Sequence, residues 1–169
     1  MNMKIIFSHG MESGPWGTKI NRLAKIAAGR QLEIESVDYT DTMDPDIRVE
    51  RLQNLLHSET NDCLLAGSSM GGYVSLVASE NPLVQGLFLM APALYISGYS
   101  CQAHSTKASV VDIVHGWNDD VIPVENAIRF ARESGHSLHL VNGNHALSDV
   151  LEDVDRIFSL FLDHVLKNE

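Results

Sequence analysis

Residues 63–72, CLLAGSSMGG, run from an apolar segment into a cluster of small residues. The apolar segment is typical of a strand buried on both faces, and we predict a strand over Cys63–Gly67. The residues from Met70 to about Glu80 have the pattern of a helix. Between the two, residues 67–71 have the form G-x-S-x-G, which is typical of a sharp, strained turn from strand to helix.

The central serine of this turn, Ser69, is the candidate nucleophile. Gly67 and Gly71 suit the strained backbone, and the turn would lift the Ser69 hydroxyl above the sheet. The backbone N–H of Met70 would then lie at a helix N-terminus, where it could stabilise an oxyanion. Ser68 does not have this spacing. A plain Gly/Ser turn is the alternative, because a five-residue pattern also recurs by chance.

The rest of the chain alternates short apolar runs with amphipathic stretches, which is typical of a parallel sheet covered by helices. The predicted strands are Lys4–Ser8, Glu33–Tyr39, Cys63–Gly67, Gly86–Met90, Val110–His115 and Ser137–Val141. Helices are predicted before Gly29, after Asp44-Pro45, over Met70–Glu80, after Pro123 and over Ser148–Leu166. Six βα units with an irregular stretch over residues 92–108 predict one α/β domain that spans residues 1–169.

The loop after the first strand carries candidate site residues, because ligands of such sheets bind beyond the carboxyl ends of the strands. This loop begins His9-Gly10-Met11-Glu12. Enzymes with the serine turn take a second oxyanion N–H from an early loop, and by position that donor is the backbone of Met11. His9 precedes the donor and is interpreted as a structural histidine. Glu12 either lines the site or is solvated.

The loop after the fifth strand supplies the candidate acid. Asp119 and Asp120 compete for the role of holding an imidazole in one tautomer, and the spacing to Pro123 favours Asp119. Asp120 is then a solvated or helix-capping neighbour. Trp117 either walls the substrate pocket or packs partly into the core.

The loop after the sixth strand carries His145 in the polar turn 142–147. A histidine here completes the order Ser, acid, His, so His145 is the candidate base, with an exposed loop histidine as the alternative. His115 is expected to be packed beside the acid loop. His136 and His139 lack a third ligand, and no dinucleotide, P-loop or zinc motif is present, so no metal and no cofactor are predicted.

The composition of the chain limits the classes of binding partner and the cellular location that we expect. The chain has 12 Lys and Arg against 22 Asp and Glu, a formal net charge of −10, which disfavours nucleic acid, anionic membranes and strongly anionic substrates. Two cysteines, Cys63 and Cys101, are too few for a disulfide framework and indicate reduced thiols. The apolar run before Ser8 is too short for a signal peptide, and no run reaches the about 18 apolar residues of a spanning helix. These features predict a cytoplasmic protein.

Three motifs in this order resemble the α/β-hydrolase superfamily, and most closely its small, lidless bacterial serine esterases of the YqiA-like type. The resemblance extends from His9-Gly10 to Asn144-His145. It implies a three-layer α/β/α sandwich with strand order 2-1-3-4-5-6. Relative to the full-length fold, the first two strands are missing and the cap is reduced to about residues 92–108.

The function predicted from these residues is cleavage of a small carboxylic ester through a Ser69-His145-Asp119 triad and an acyl-enzyme. The reduced cap favours short acyl esters at an open site. The same residues would serve a thioesterase or an amidase, and a non-catalytic protein-binding module on a hydrolase scaffold is the alternative from another class. Sequence leaves open whether the chain is a monomer or a homodimer.

Overall fold

A six-stranded parallel sheet forms the middle layer of the computed structural model, which describes residues 3–167. In chain order the strands are β1 (Lys4–Ser8), β2 (Glu33–Val37), β3 (Cys63–Ser68), β4 (Val84–Met90), β5 (Val110–Gly116) and β6 (Ser137–Val141). Their order across the sheet is β2-β1-β3-β4-β5-β6, which confirms the predicted topology. Every neighbouring pair is parallel.

Five helices cover the two faces of the sheet. They are α1 (Thr18–Ala28), α2 (Pro45–Ser58), α3 (Met70–Ala78), α4 (Val124–Ser134) and α5 (Leu151–Lys167). α1 and α5 pack on one face around Leu23, Phe158 and Phe161, whereas α2, α3 and α4 pack on the other around Leu52, Leu76 and Phe130. No helix among the described residues has the length and apolarity needed to cross a membrane.

The strand boundaries differ from prediction at several ends. β2 stops at Val37 rather than Tyr39, because the Tyr39 N–H bonds the ring of His9 instead of a neighbouring strand. β4 begins two residues before the predicted Gly86, and β5 extends to Gly116. A strand ends where hydrogen bonding to its neighbouring strand ends, and the residue types of the segment do not determine that position.

Helix boundaries follow local signals more closely. At the start of α2 the Asp44 carboxylate accepts hydrogen bonds from the N–H groups of Asp46 and Ile47, and Pro45 occupies the first turn as predicted. α3 ends at Ala78, and α5 begins at Leu151, three residues after the predicted Ser148. β4 is followed by the irregular stretch and not by a helix, so the six strands carry five helices.

Burial distinguishes central strands from edge strands. All of Cys63–Ser68 in β3 is buried, as a strand between two neighbours and two helix layers requires. The edge strands β2 and β6 have no fully buried residue, and both begin with an exposed one. The loops after β1, β3 and β5 therefore leave largely buried strands at the carboxyl edge of the sheet, which gives their residues a rigid base, and the loop after β6 leaves the same edge from an edge strand.

Candidate active site

The turn between β3 and α3 holds Ser69 in a strained conformation. Its φ of 54° and ψ of −118° lie in a region that non-glycine residues rarely occupy. The Ser69 N–H donates to the Met90 carbonyl at 3.0 Å, and the Ser69 carbonyl accepts the Gly72 and Ala93 N–H groups at 2.9 and 3.0 Å. These three hydrogen bonds fix both peptide groups that flank the Ser69 Cα and so stabilise its strained conformation.

The glycines of the motif permit close backbone approach. A Cβ on Gly71 would overlap the Ser8 carbonyl, and a Cβ on Gly67 would overlap the Gly71 carbonyl. The first turn of α3 therefore lies directly against β1 and β3. This contact explains why G-x-S-x-G needs glycine at both ends.

Ser69, His145 and Asp119 form a continuous hydrogen-bonded chain. The Ser69 Oγ lies 3.0 Å from His145 Nε2, and His145 Nδ1 lies 2.7 Å from Asp119 Oδ2. A carboxylate can only accept hydrogen bonds, so His145 Nδ1 carries the ring proton. His145 Nε2 is then free to accept the proton of the Ser69 hydroxyl. The structure thus brings His145 together with Asp119 and Ser69, which lie 26 and 76 positions before it in the sequence.

Asp119, and not Asp120, faces the histidine. The Asp119 side chain is fully buried, whereas Asp120 is exposed. Asp119 Oδ1 accepts the Val121 and Ile122 N–H groups at 2.9 and 2.8 Å. Burial acts to raise the pKa of Asp119, but hydrogen bonds from His145, Ile122 and Val121 outweigh it and hold the pKa below its ordinary value. The carboxylate is therefore kept ionised.

His115 contacts the same carboxylate from below, a role that sequence analysis missed. Its Nε2 lies 3.0 Å from both Asp119 Oδ2 and the Ile122 carbonyl, and the side chain is fully buried as expected. Both neighbours are acceptors, so Nε2 carries the proton. Burial lowers the pKa of His115 and keeps the ring neutral at pH 7. No local pattern in the sequence marked this contact, because a strand residue and a residue of the following turn have no fixed spacing that brings them together.

The two predicted oxyanion donors border the same cleft as Ser69 and His145. Neither the Met11 nor the Met70 N–H has an acceptor within residues 3–167. The Met11 side chain is 39% exposed and that of Met70 only 1%, which agrees with a role for the backbone and not the side chains. Two unpaired N–H groups beside a nucleophile can donate hydrogen bonds to an oxygen that develops negative charge.

A buried arginine, Arg48 of α2, supports the loop that carries Met11. Its guanidinium is fully buried and donates to the carbonyls of His9, Gly10, Met11, Tyr39 and Thr42 at 2.9–3.3 Å. No carboxylate within the described residues pairs with it. Because the carbonyls point toward Arg48, the loop is fixed from behind. An arginine among polar helix residues offered no signal of this role.

His9 is a structural histidine, as predicted. Its Nδ1 bonds the Gly10 carbonyl at 2.7 Å, and its Nε2 accepts the Tyr39 N–H at 2.9 Å. Burial lowers the pKa of His9, so the ring is neutral and uses both nitrogens in backbone hydrogen bonds. Neither nitrogen is available as a base.

The cleft above Ser69 has a volume of about 640 Å³. Ile96 and Tyr99 of the irregular stretch form one wall, so the reduced cap shapes the site. Glu12 also borders the cleft, with an exposed side chain. The two expectations for Trp117 were wrong: the residue is 56% exposed and lines neither the cleft nor the core, because it follows the last residue of β5 into an exposed turn. Residues 3–167 contain no group of three or more His, Cys, Asp or Glu that could hold a metal ion.

Comparison with protein families gives one match. The model of the uncharacterised protein family UPF0227 matches residues 4–99, more than half of the 169 residues. The matched region includes Met11, Ser69 and Met70 and ends before the loops of Asp119 and His145. A search of curated proteins found no significant match.

Solved structures share the whole architecture. A protein from Xanthomonas campestris pv. campestris, named as a hydrolase of the α/β superfamily, is 30% identical with a TM-score of 0.89, covering 97% of this chain and 99% of the other. Est1E from Butyrivibrio proteoclasticus, solved with ferulic acid, is 16% identical with a TM-score of 0.80, covering 98% and 90%. Alpha/beta hydrolase domain-containing protein 10 from mouse is 15% identical with a TM-score of 0.72, covering 96% and 90%. The last two likenesses show the fold alone.

Proposed function

The chain belongs to the UPF0227 family of the α/β-hydrolase superfamily, and on that premise we propose that it is a serine hydrolase that cleaves small carboxylic esters. The observation that carries the proposal is the unbroken hydrogen-bond chain from Ser69 through His145 to Asp119. A strained turn, a buried acid and a correctly protonated imidazole are costly to maintain, and each has a defined use in acyl transfer.

The reaction begins with attack of Ser69 Oγ on the ester carbonyl while His145 Nε2 takes the serine proton. The Met11 and Met70 N–H groups bind the oxygen that becomes negative. Collapse of the tetrahedral intermediate expels the alcohol, which receives the proton from His145. Water then attacks the acyl-enzyme with His145 as base, releasing the acid and restoring Ser69. Asp119 remains ionised throughout and stabilises the imidazolium.

Short acyl groups suit this cleft best, because only the 92–108 segment is available to enclose a substrate. A thioester or an amide would use the same residues, and turnover of matched substrates separates these classes. Two free cysteines, Cys63 and Cys101, support the further proposal of a cytoplasmic location.

A fluorophosphonate probe tests the nucleophile directly. We expect the folded protein to be labelled at Ser69, located by mass spectrometry, and the Ser68→Ala variant to be labelled as well. Hydrolysis of p-nitrophenyl esters from acetate to decanoate then measures the acyl preference. A folded protein that takes no label and turns over no ester, thioester or amide would favour a non-catalytic binding module instead.

A second prediction concerns Arg48, which holds the loop that carries the Met11 N–H. Replacing Arg48 by Met is expected to lower kcat by about 10²-fold or more, the loss typical of one misplaced oxyanion donor, because the carbonyls of His9, Gly10 and Met11 lose their common partner. The variant should also be less stable to urea by about 3 kcal/mol, since buried carbonyls are left unpaired.

The matched control is Arg51→Met on the same helix, whose guanidinium pairs with Asp41 at 2.7 Å in an exposed turn. It should change kcat by no more than about twofold, in line with the small effect of surface ion pairs. A wild-type kcat in folded Arg48→Met protein would show that the Met11 loop does not depend on Arg48.

A further inference from the structure

A second cavity of about 360 Å³ adjoins the cleft that holds Ser69. The two spaces share the lining residues Gly10, Ser13, Lys19, Ser68 and Ala146. Ser68 precedes the nucleophile and Ala146 follows the base, so the second cavity borders the residues next to Ser69 and His145. Lys19, in the first turn of α1, lines both spaces.

Lys19 is an uncompensated cation in this position. Within residues 3–167 its ammonium group has no ion pair within 4.0 Å and no hydrogen-bond acceptor. Burial lowers the pKa of Lys19 from 10.5 to about 8, against the opposing attraction of the Asp119 carboxylate. A partly desolvated ammonium group without a partner is stabilised when an anion binds to it.

The protein itself offers no anion for this role. None of the described Asp or Glu residues lines the second cavity, although the chain has 22 of them. Asp119 has all its bonding positions directed elsewhere, to His145, His115 and two backbone N–H groups. Glu12 lines the larger cleft with an exposed side chain and makes no ion pair with Lys19.

We infer that Lys19 binds a carboxylate of the substrate, so that the esters cleaved at Ser69 carry a negatively charged group within reach of the second cavity. The inference rests on the proposed function for the reaction and adds the substrate class. A single carboxylate is compatible with the net charge of −10, which disfavours only strongly anionic substrates. Surface charges are screened over about 8 Å at physiological ionic strength, whereas Lys19 acts at contact.

Two pairs of esters measure this preference and show which side of the ester bond carries the charge. The acyl-side pair is the p-nitrophenyl monoester of glutarate and p-nitrophenyl valerate. The alcohol-side pair is para-acetoxybenzoate and its methyl ester. In at least one pair, Lys19→Met should lower the ratio of kcat/KM for the anionic member over the neutral member about tenfold or more, as expected for a charge-assisted bond. Lys19→Arg should retain most of the ratio.

Lys25→Met is the matched control, because Lys25 is an exposed lysine of the same helix and its loss changes the net charge equally. It should leave both ratios as in the wild type. Ratios that are unchanged in Lys19→Met for both pairs would overturn the inference while leaving the serine hydrolase intact.

A binding measurement keeps the inference independent of turnover. NMR titration of Ser69→Ala protein with monomethyl glutarate and with dimethyl glutarate should show tighter binding of the charged ester, and Lys19→Met in the same background should remove the difference. Equal binding of the two esters by Ser69→Ala protein would overturn the carboxylate site, whether or not any ester is hydrolysed. Preferential binding with no turnover in the wild type would instead retain the site and reject the hydrolase.

Discussion

Ser69→Ala is expected to lower kcat for ester hydrolysis by on the order of 10⁶, the loss seen when the nucleophile of a serine triad is removed. The methyl group of alanine cannot form the acyl-enzyme, so only binding and the oxyanion donors remain. The strained backbone at φ 54° is kept by the surrounding hydrogen bonds, so the fold should persist. Steady-state kinetics with p-nitrophenyl butyrate measure the loss, and circular dichroism checks the fold.

Ser68→Ala is the informative companion, because Ser68 ends β3 one residue earlier and makes no hydrogen bond to His145. A loss as large as that of Ser69→Ala would reverse the assignment of the nucleophile. Full activity of Ser69→Ala in folded protein would remove the triad from the proposal.

Asp119→Asn is expected to lower kcat by about 10⁴-fold. The urea concentration at the unfolding midpoint should change little. An amide can present its NH₂ group to His145 Nδ1, which places the imidazole proton on Nε2 and prevents it from accepting the Ser69 proton. The amide oxygen can still accept the Val121 and Ile122 N–H groups, so the loop should retain its shape. The kcat of the two proteins is compared at pH 7.5.

Asp120→Asn is the control, since Asp120 is exposed and should change kcat by no more than about twofold. A larger loss in Asp120→Asn than in Asp119→Asn would contradict the roles that burial and hydrogen bonding support.

Much of the architecture was predictable because its signals are local. β1 and β6 were predicted to the residue, and the Asp44-Pro45 cap placed the start of α2. G-x-S-x-G could be interpreted from five residues because the pattern is typical of the turn itself, although the contact that requires glycine at position 71 is with the distant Ser8 carbonyl of β1. The order of Ser69, Asp119 and His145 along the chain, each in a loop that follows a strand, was sufficient to predict that they lie at one edge of a parallel sheet.

The unpredicted features depend on residues far apart in the chain. Arg48 lies 37–39 positions after the carbonyls of the Met11 loop that it binds, and nothing in its own segment marks it as buried. Trp117 looked like a core or pocket residue because large aromatics usually are, yet its loop directs it to solvent. The end of β2 followed from a hydrogen bond between Tyr39 and His9.

Local sequence thus specified most of the elements and the three candidate catalytic side chains, since strand burial, caps and turn glycines are properties of short segments, whereas the strand order was predicted from the family resemblance. Packing between distant segments was needed to show what holds and surrounds those side chains: the arginine behind the Met11 loop, the histidine below Asp119 and the unpaired lysine beside the cleft. The physical reason is that a buried polar group takes its partner from whatever the fold brings near it, and that neighbour is not encoded in the adjacent residues.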